Sequence, residues 1–365
     1  MSNYYLILIW IFFVAVLSAV TNVQRKEVVC GKTEYRFRPL WAFIIFLPLI
    51  IWTGFRGYVG DTGAYMKAFA EMPASPGGIS AYMETITKDK GFYFLSALIK
   101  TVINDNVHLY FMIIAFIQVY FLIRIYRKYS MNYVVSFFLF IVSTDFISWM
   151  FNGMRQFTAV AITLLAVELA LEKKYARAVL VILFASLFHQ SALLVIPFLF
   201  ICQGDAWNKK TLLFILAIIV VVAFVEEFTG LLDTALAETQ YVNVVSDWKS
   251  WEDDGTNILR VLVYAVPTIL SLIGLKYIRK ANDPIINMCV NMSIVSTGFY
   301  VVSMFTSGIF IGRLPIYFSL YNYILLPWEV ENMFTRTSAK IVYLLMIVAY
   351  IGFYFMHIKF VWGLV

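Results

Sequence analysis

The chain has 365 residues, 62% of them hydrophobic and 14% charged, with a formal net charge of +6 at pH 7. A soluble domain carries roughly half apolar and a quarter charged residues, so a soluble enzyme is excluded. The basic residues sit in short loops between apolar runs, which is the orientation signal of a membrane protein and not a nucleic-acid surface.

The apolar runs predict an all-α, polytopic integral membrane protein, one domain over 1–365, with helices long enough for a hydrocarbon core of roughly 30 Å. Tyr4–Val20 opens the chain without a basic n-region and is expected to be a retained helix, not a signal peptide. Ten crossings are expected, at about 4–21, 39–53, 107–124, 133–150, 154–172, 211–226, 258–278, 285–305, 313–328 and 340–358. Between the second and third crossings, 54–106 forms a first extracytoplasmic loop. Within it 62–72 and 79–89 read as short surface helices, and 91–103 as a short apolar run ending at Lys100. Residues 178–201 are apolar but interrupted by His189, Gln190, Ser191 and Pro197.

The positive-inside rule orients these segments. Arg25, Lys26, Lys32, Arg36 and Arg38 put the loop 22–38 in the cytoplasm and the N-terminus outside. Keeping 91–103 on the outer surface and folding 178–201 as a re-entrant hairpin from the cytoplasmic side places 18 basic residues inside and 10 outside, out of 28. Treating both as crossings removes the bias. Broken backbone at membrane depth needs protein or a wet cavity around it, so the hairpin implies a cavity with His189 near its tip. Cys30, Cys202 and Cys289 then fall at cytoplasmic ends. They are odd in number and lack a CxxC pair, so neither a zinc site nor a disulfide framework is indicated.

This topology gathers costly ionisable residues on one outer face, and such residues mark function by default. Arg56 follows the second crossing in Thr53-Gly-Phe-Arg56-Gly-Tyr-Val-Gly-Asp61-Thr-Gly-Ala-Tyr65, with Asp61 at a natural N-cap. Asp61 is a candidate general base, and Arg56 its neighbour or an anion ligand. A snorkelling Arg and a capping Asp are the structural alternative. Arg155 and Gln156 open a span at its outer end, where a cation opposes the helix dipole and a bound anion would explain it, a snorkelling Arg being the alternative. His189 stands alone among aliphatics in Phe188-His189-Gln-Ser191, either as a second base or as a hydrogen-bonded packing residue. Arg313 and Tyr317 are four apart and are expected on one helix face. Guanidinium forks match phosphate oxygens, so the three arginines suggest a diphosphate or another dense anion. No DxD or HExxH metal signature accompanies them. A last outer loop, 227–257, is acidic. Its Trp248 and Trp251 are candidates to stack on sugar faces, or else interfacial aromatics.

The ordered pattern Arg56, Gly60, Asp61, Tyr65; Arg155, Gln156; Phe188, His189, Ser191; Arg313, Tyr317 resembles the EpsG-type branch of the Wzy-like bacterial polysaccharide polymerases, over roughly 40–330. The Gly60-Asp61-Thr62-Gly63 stretch departs from the family pattern, which has a bulky residue after the Asp. The resemblance implies a layout like the lipid-linked glycosyltransferases of GT-C fold, in the bacterial inner membrane with the site facing out. It implies transfer of a growing glycan from undecaprenyl diphosphate to a sugar hydroxyl of another lipid-linked repeat unit, without cofactor. Its implied partners are these lipid-linked oligosaccharides and membrane lipid, with a chain-length regulator protein as a further candidate. Two other readings stay open at this point. One is a flippase or transporter of the lipid-linked sugar, which would normally show repeated halves. The other is a membrane acyltransferase using His189, which would need an acidic or second His partner.

Overall fold

The computed structural model describes residues 2–29, 32–236, 242, 250 and 255–364. The chain is an all-α polytopic membrane protein and divides into two compact units, Met1–Leu193 with Arg336–Val365, and Leu194–Thr335.

In the first unit, α1 (Ser2–Val20) is followed by an antiparallel hairpin of β1 (Gln24–Val29) and β2 (Lys32–Phe37). The hairpin is an addition to the helical fold expected from the sequence, where 22–38 reads as a basic loop. Its register sets Glu27 opposite Glu34 and Arg25 opposite Arg36. The unit continues with α2 (Pro39–Gly54), α3 (Thr62–Glu71), α4 (Ile79–Thr85), α5 (Lys90–Ile103), α6 (Val107–Tyr129), α7 (Tyr133–Val142), α8 (Met154–Leu171) and α9 (Tyr175–Ser186). α6 packs against both α2 and α8, and α9 lies along α8. Gln118 of α6 donates through its Nε2 to Met154 O at 3.2 Å and to Thr158 Oγ1 at 3.0 Å, which ties α6 to the first turns of α8.

The second unit begins after a 3₁₀ turn (Gln190–Leu194) and comprises α10 (Val195–Ile201), α11 (Lys209–Ala223), α12 (Val225–Leu236), α13 (Ile258–Ile273), α14 (Leu275–Ala281), α15 (Pro284–Met304), α16 (Ile316–Ser319) and α17 (Asn322–Met333). Asn291 on α15 holds the 202–207 turn: its Nδ2 donates to Cys202 O and Asp205 O, both at 3.0 Å, and its Oδ1 accepts from Trp207 N at 3.0 Å. α18 (Arg336–Met356) returns to the first unit and ends in a π turn, His357–Val361.

Among the described residues, five helices are long and apolar enough to cross a membrane, or up to eight when each bent pair is one span. Hydropathy alone suggests ten. The difference lies in backbone breaks that composition does not register. The stretch 133–150 bends by 72° between α7 and a π turn (Phe146–Asn152), 209–236 by 101° and 258–281 by 71°. The stretch 313–328 is divided between a 3₁₀ turn, α16 and α17, and α2 is only 16 residues long. At the first bend Thr144 sits at φ 64, a left-handed conformation that a β-branched residue rarely adopts.

Two faces of the first unit differ in chemistry. At one, the hairpin, the end of α6 and the end of α8 form an ion-pair network. Arg127 donates to both carboxylate oxygens of Glu27 at 2.9 Å, Arg124 Nε donates to Glu168 at 2.6 Å, and Lys128 pairs with the same Glu168. Arg155 stands thirteen positions before Glu168 on α8, so about 20 Å away along the axis. The first loop, the start of α8 and the end of α9 meet at that opposite face.

Candidate active site

The first loop is a helical layer and not a flexible strap. The expected surface helices 62–72 and 79–89 are α3 and α4, and 91–103 is α5. Lys100, 2% exposed, explains how α5 holds α3. Its Nζ donates to the C-terminal carbonyls Phe69 O at 2.8 Å and Ala70 O at 2.9 Å, and it pairs with Asp105 at 3.0 Å. A cation at a helix C-terminus complements the dipole there. Phe69 stacks on Tyr110 of α6, with ring centroids 4.4 Å apart.

Arg56 is buried. Its Nη1 donates to Met150 O, its Nη2 to Met154 Sδ, and its guanidinium lies 4.0 Å from the Phe111 ring centroid and 5.2 Å from that of Phe151. Burial lowers this guanidinium to about 10, against the pull of Tyr65 and Tyr110, so it is cationic at neutral pH. Asp61 is exposed at the N-cap of α3, but its side chain makes no capping bond. Its backbone N–H donates instead to Asn152 Oδ1 at 3.1 Å. Thus Arg56 and Asp61 tie the first loop to the turn before α8 from two sides.

Gly60 is why that approach is possible. It sits at φ +53, and a Cβ there would lie 2.8 Å from Asn152 Oδ1. Gly60→Ala is expected to cost about 1–2 kcal/mol in strain and contact and to loosen the loop. Limited proteolysis within 54–106 should be several-fold faster than in the wild type, and Asn152→Ala should reproduce the effect.

Arg155 Nη1 donates to Asp89 Oδ2 at 2.7 Å and its guanidinium lies 5.9 Å from the Tyr93 ring centroid. Its charge also acts on the buried Tyr65 phenol, so Tyr65 and Arg155 are brought together. Gln156 Nε2 donates to Ser191 Oγ at 3.3 Å, and His189 Nδ1 shares a 2.7 Å hydrogen bond with the same hydroxyl. α9 runs back along α8 from the turn at 172–174, which sets His189 level with Arg155 and Gln156. Gly91 N donates to Leu187 O at 2.8 Å and so joins the start of α5 to this stretch.

Six expected residues therefore gather at one face of the first unit: Arg56, Asp61, Tyr65, Arg155, Gln156 and His189. Asp89 joins them although its sequence context gives no hint of it. Its carboxylate is 5% exposed, the backbone is left-handed at φ 52, and Oδ1 has no hydrogen-bond partner. Burial pushes its carboxyl up, opposed by Arg155 and Lys88. Lys88 and Lys90 make the segment look like a solvated loop.

Arg313 belongs to the second unit, in a 3₁₀ turn (Ile311–Arg313), and Tyr317 is buried in α16. The two do not share a continuous helix face, because the chain breaks at Leu314 and Pro315. Gly312 N donates to Ser307 O at 2.9 Å, and Thr256 N to Ser303 O at 3.0 Å, which sets the 255–257 segment beside this turn. Cys202 and Cys289 are buried free thiols. Trp248, Trp251, Cys30 and most of the acidic 227–257 loop beyond Leu236 lie outside the described residues. Among the described residues no three His, Cys, Asp or Glu side chains gather as metal ligands would.

Beside this face an apolar groove of about 790 Å³ runs between α1 and α2, lined by Leu6, Trp10, Phe13, Pro48 and Phe55 among others. Trp52 lines it too and packs on Phe151, centroids 5.6 Å apart, the ring that also lies against Arg56.

A family model described as the EpsG family matches residues 40–362. No curated protein and no solved structure matches the chain.

Proposed function

The chain belongs to the EpsG family, whose function is of the polysaccharide-polymerase type, and on that footing we propose that it joins undecaprenyl-diphosphate-linked repeat units at the outer face of the bacterial inner membrane. The observation that supports this reading is the cluster at one face of the first unit. There a half-exposed guanidinium, Arg155, stands among Tyr65, Gln156 and His189, next to a groove that fits a polyprenyl tail. The anomeric carbon of the donor glycan is attacked by an acceptor hydroxyl, and the diphosphate leaves. Arg155 uses N–H groups not engaged by Asp89 to meet the charge that builds on that leaving group. Gln156 and Tyr65 orient sugar or phosphate oxygens. A proton acceptor for the hydroxyl is required; Asp61 and His189 are the candidates offered by the sequence. Arg313 and Tyr317 keep the anion-binding assignment that their sequence pattern gives them, and Trp248 and Trp251 that of sugar stacking.

In a strain lacking its own copy, the wild-type chain should restore long surface glycan. Asp61→Asn, Arg155→Ala and Arg313→Ala should each leave only single-repeat product on gels of surface polysaccharide. Repeat units trapped on the cytoplasmic side in these strains would replace the polymerase reading with a flippase.

A further inference from the structure

We infer that Asp89 is the catalytic base of this site: its Oδ1 takes the proton of the acceptor sugar hydroxyl while its Oδ2 is held by Arg155. The inference rests on the polymerase reading above and goes beyond it by moving the proton to a residue outside the family pattern.

Three observations carry it. The Asp89 carboxylate is 5% exposed, and one oxygen is bound at 2.7 Å while the other has no partner. Buried polar atoms are nearly always hydrogen-bonded, so an orphaned carboxylate oxygen calls for a donor that arrives with the substrate. The backbone that presents it is strained, at φ 52 on a non-glycine residue, and strain of this kind concentrates at functional sites. Finally, its neighbour is Arg155, the group best placed for the diphosphate. By contrast, the Asp61 side chain is exposed and makes no capping bond, and His189 Nδ1 is engaged with Ser191.

The shared arginine couples the two halves of the reaction. Diphosphate drawn to Arg155 takes up part of its charge and weakens its hold on Asp89. The carboxylate, desolvated by its surroundings, becomes a stronger base when the donor is in place. The acceptor O–H proton passes to Asp89 Oδ1, and the acceptor oxygen forms its bond to the anomeric carbon. The bond from that carbon to the diphosphate oxygen breaks, with its electron pair leaving on the polyprenyl diphosphate.

The test uses the full chain, purified in detergent, with farnesyl diphosphate as the binding probe, and chain extension read in the complemented deletion strain. Asp89→Asn is expected to bind farnesyl diphosphate at least as tightly as wild type, since Arg155 is released, yet to lose chain extension by about 100-fold or more. Asp89→Glu keeps the charge and the ion pair but displaces the carboxylate by a methylene. It should also lose at least about tenfold, because a base off by about 1 Å is poorly placed. Wild-type glycan length in either variant overturns the inference. So does loss of farnesyl diphosphate binding in a folded Asp89→Asn protein, which would make Asp89 a positioning residue for Arg155. If wild-type protein itself fails to restore long glycan, the polymerase reading fails instead.

Discussion

Arg155→Ala is expected to destabilise the purified protein by about 2 kcal/mol, whereas Asp89→Asn costs well under half of that, although the two residues form one ion pair. The asymmetry follows from where each end of the pair sits. The Asp89 side chain is 5% exposed and that of Arg155 35%. Removing the arginine leaves a charge in a desolvated place, and breaking a buried pair in this way costs about 3–5 kcal/mol. The exposed end of this pair reduces that figure, because Arg155 is already partly screened. Removing the carboxylate's charge leaves a guanidinium that water can reach. The double variant Asp89→Asn/Arg155→Gln should regain most of the stability lost in Arg155→Ala, the non-additivity expected of contacting residues, without regaining chain extension. Thermal unfolding in detergent, with a drop of roughly 2–3 °C for Arg155→Ala, together with glycan length checks both halves. Equal destabilisation by the two single variants would mean that the carboxylate is hydrated and not desolvated.

The helical layer of the first loop was legible because its signals are local. α3, α4 and α5 each carry a short apolar stripe with polar punctuation, and Lys100 ends the last of them. The gathering of Arg155, Gln156 and His189 was legible because a tight, basic turn at 172–174 sends α9 back along α8. The hidden features depend on contacts distant in sequence. Asp89 meets its partner 66 residues away, and nothing in Lys88-Asp89-Lys90 distinguishes a solvated loop from a buried carboxylate flanked by exposed lysines. The hairpin escaped notice because its pairs include Arg25 with Arg36 and Glu27 with Glu34. Its stability comes from salt links to α6, and its pattern is not apolar. The bend falls on Ser143-Thr144-Asp145, a polar step too short to outweigh the apolar residues on both sides, so hydropathy reads 133–150 as one straight crossing. An ionisable residue at membrane depth suggests a ligand site, and at Arg56 the structure sets the guanidinium among protein groups.

That surrounding makes Arg56 the second strong test. Arg56→Ala is expected to cost about 3 kcal/mol, and Arg56→Lys to recover less than half of it. The guanidinium donates in two directions at once, to Met150 O and Met154 Sδ, and lies against Phe111 and Phe151. A hydrogen bond from a charged group contributes about 1.5–3 kcal/mol, and a desolvated cation–π contact up to about 2 kcal/mol. An ammonium cannot supply a planar face and a fork together, so lysine loses one or the other. The functional effect should pass through geometry and not through charge at the site. Without Arg56 the 54–65 end of the first loop keeps the Asp61–Asn152 link to the turn before α8, while the Asp89–Arg155 pair and the Lys100 anchor hold the loop further along. Asp61 and Tyr65 then shift relative to Arg155. Protease accessibility of 54–65 should therefore rise in step with the loss of long glycan across Arg56→Lys and Arg56→Ala. An Arg56→Ala protein as stable and protected as wild type, yet unable to extend glycan, would restore Arg56 to the role of a direct anion ligand.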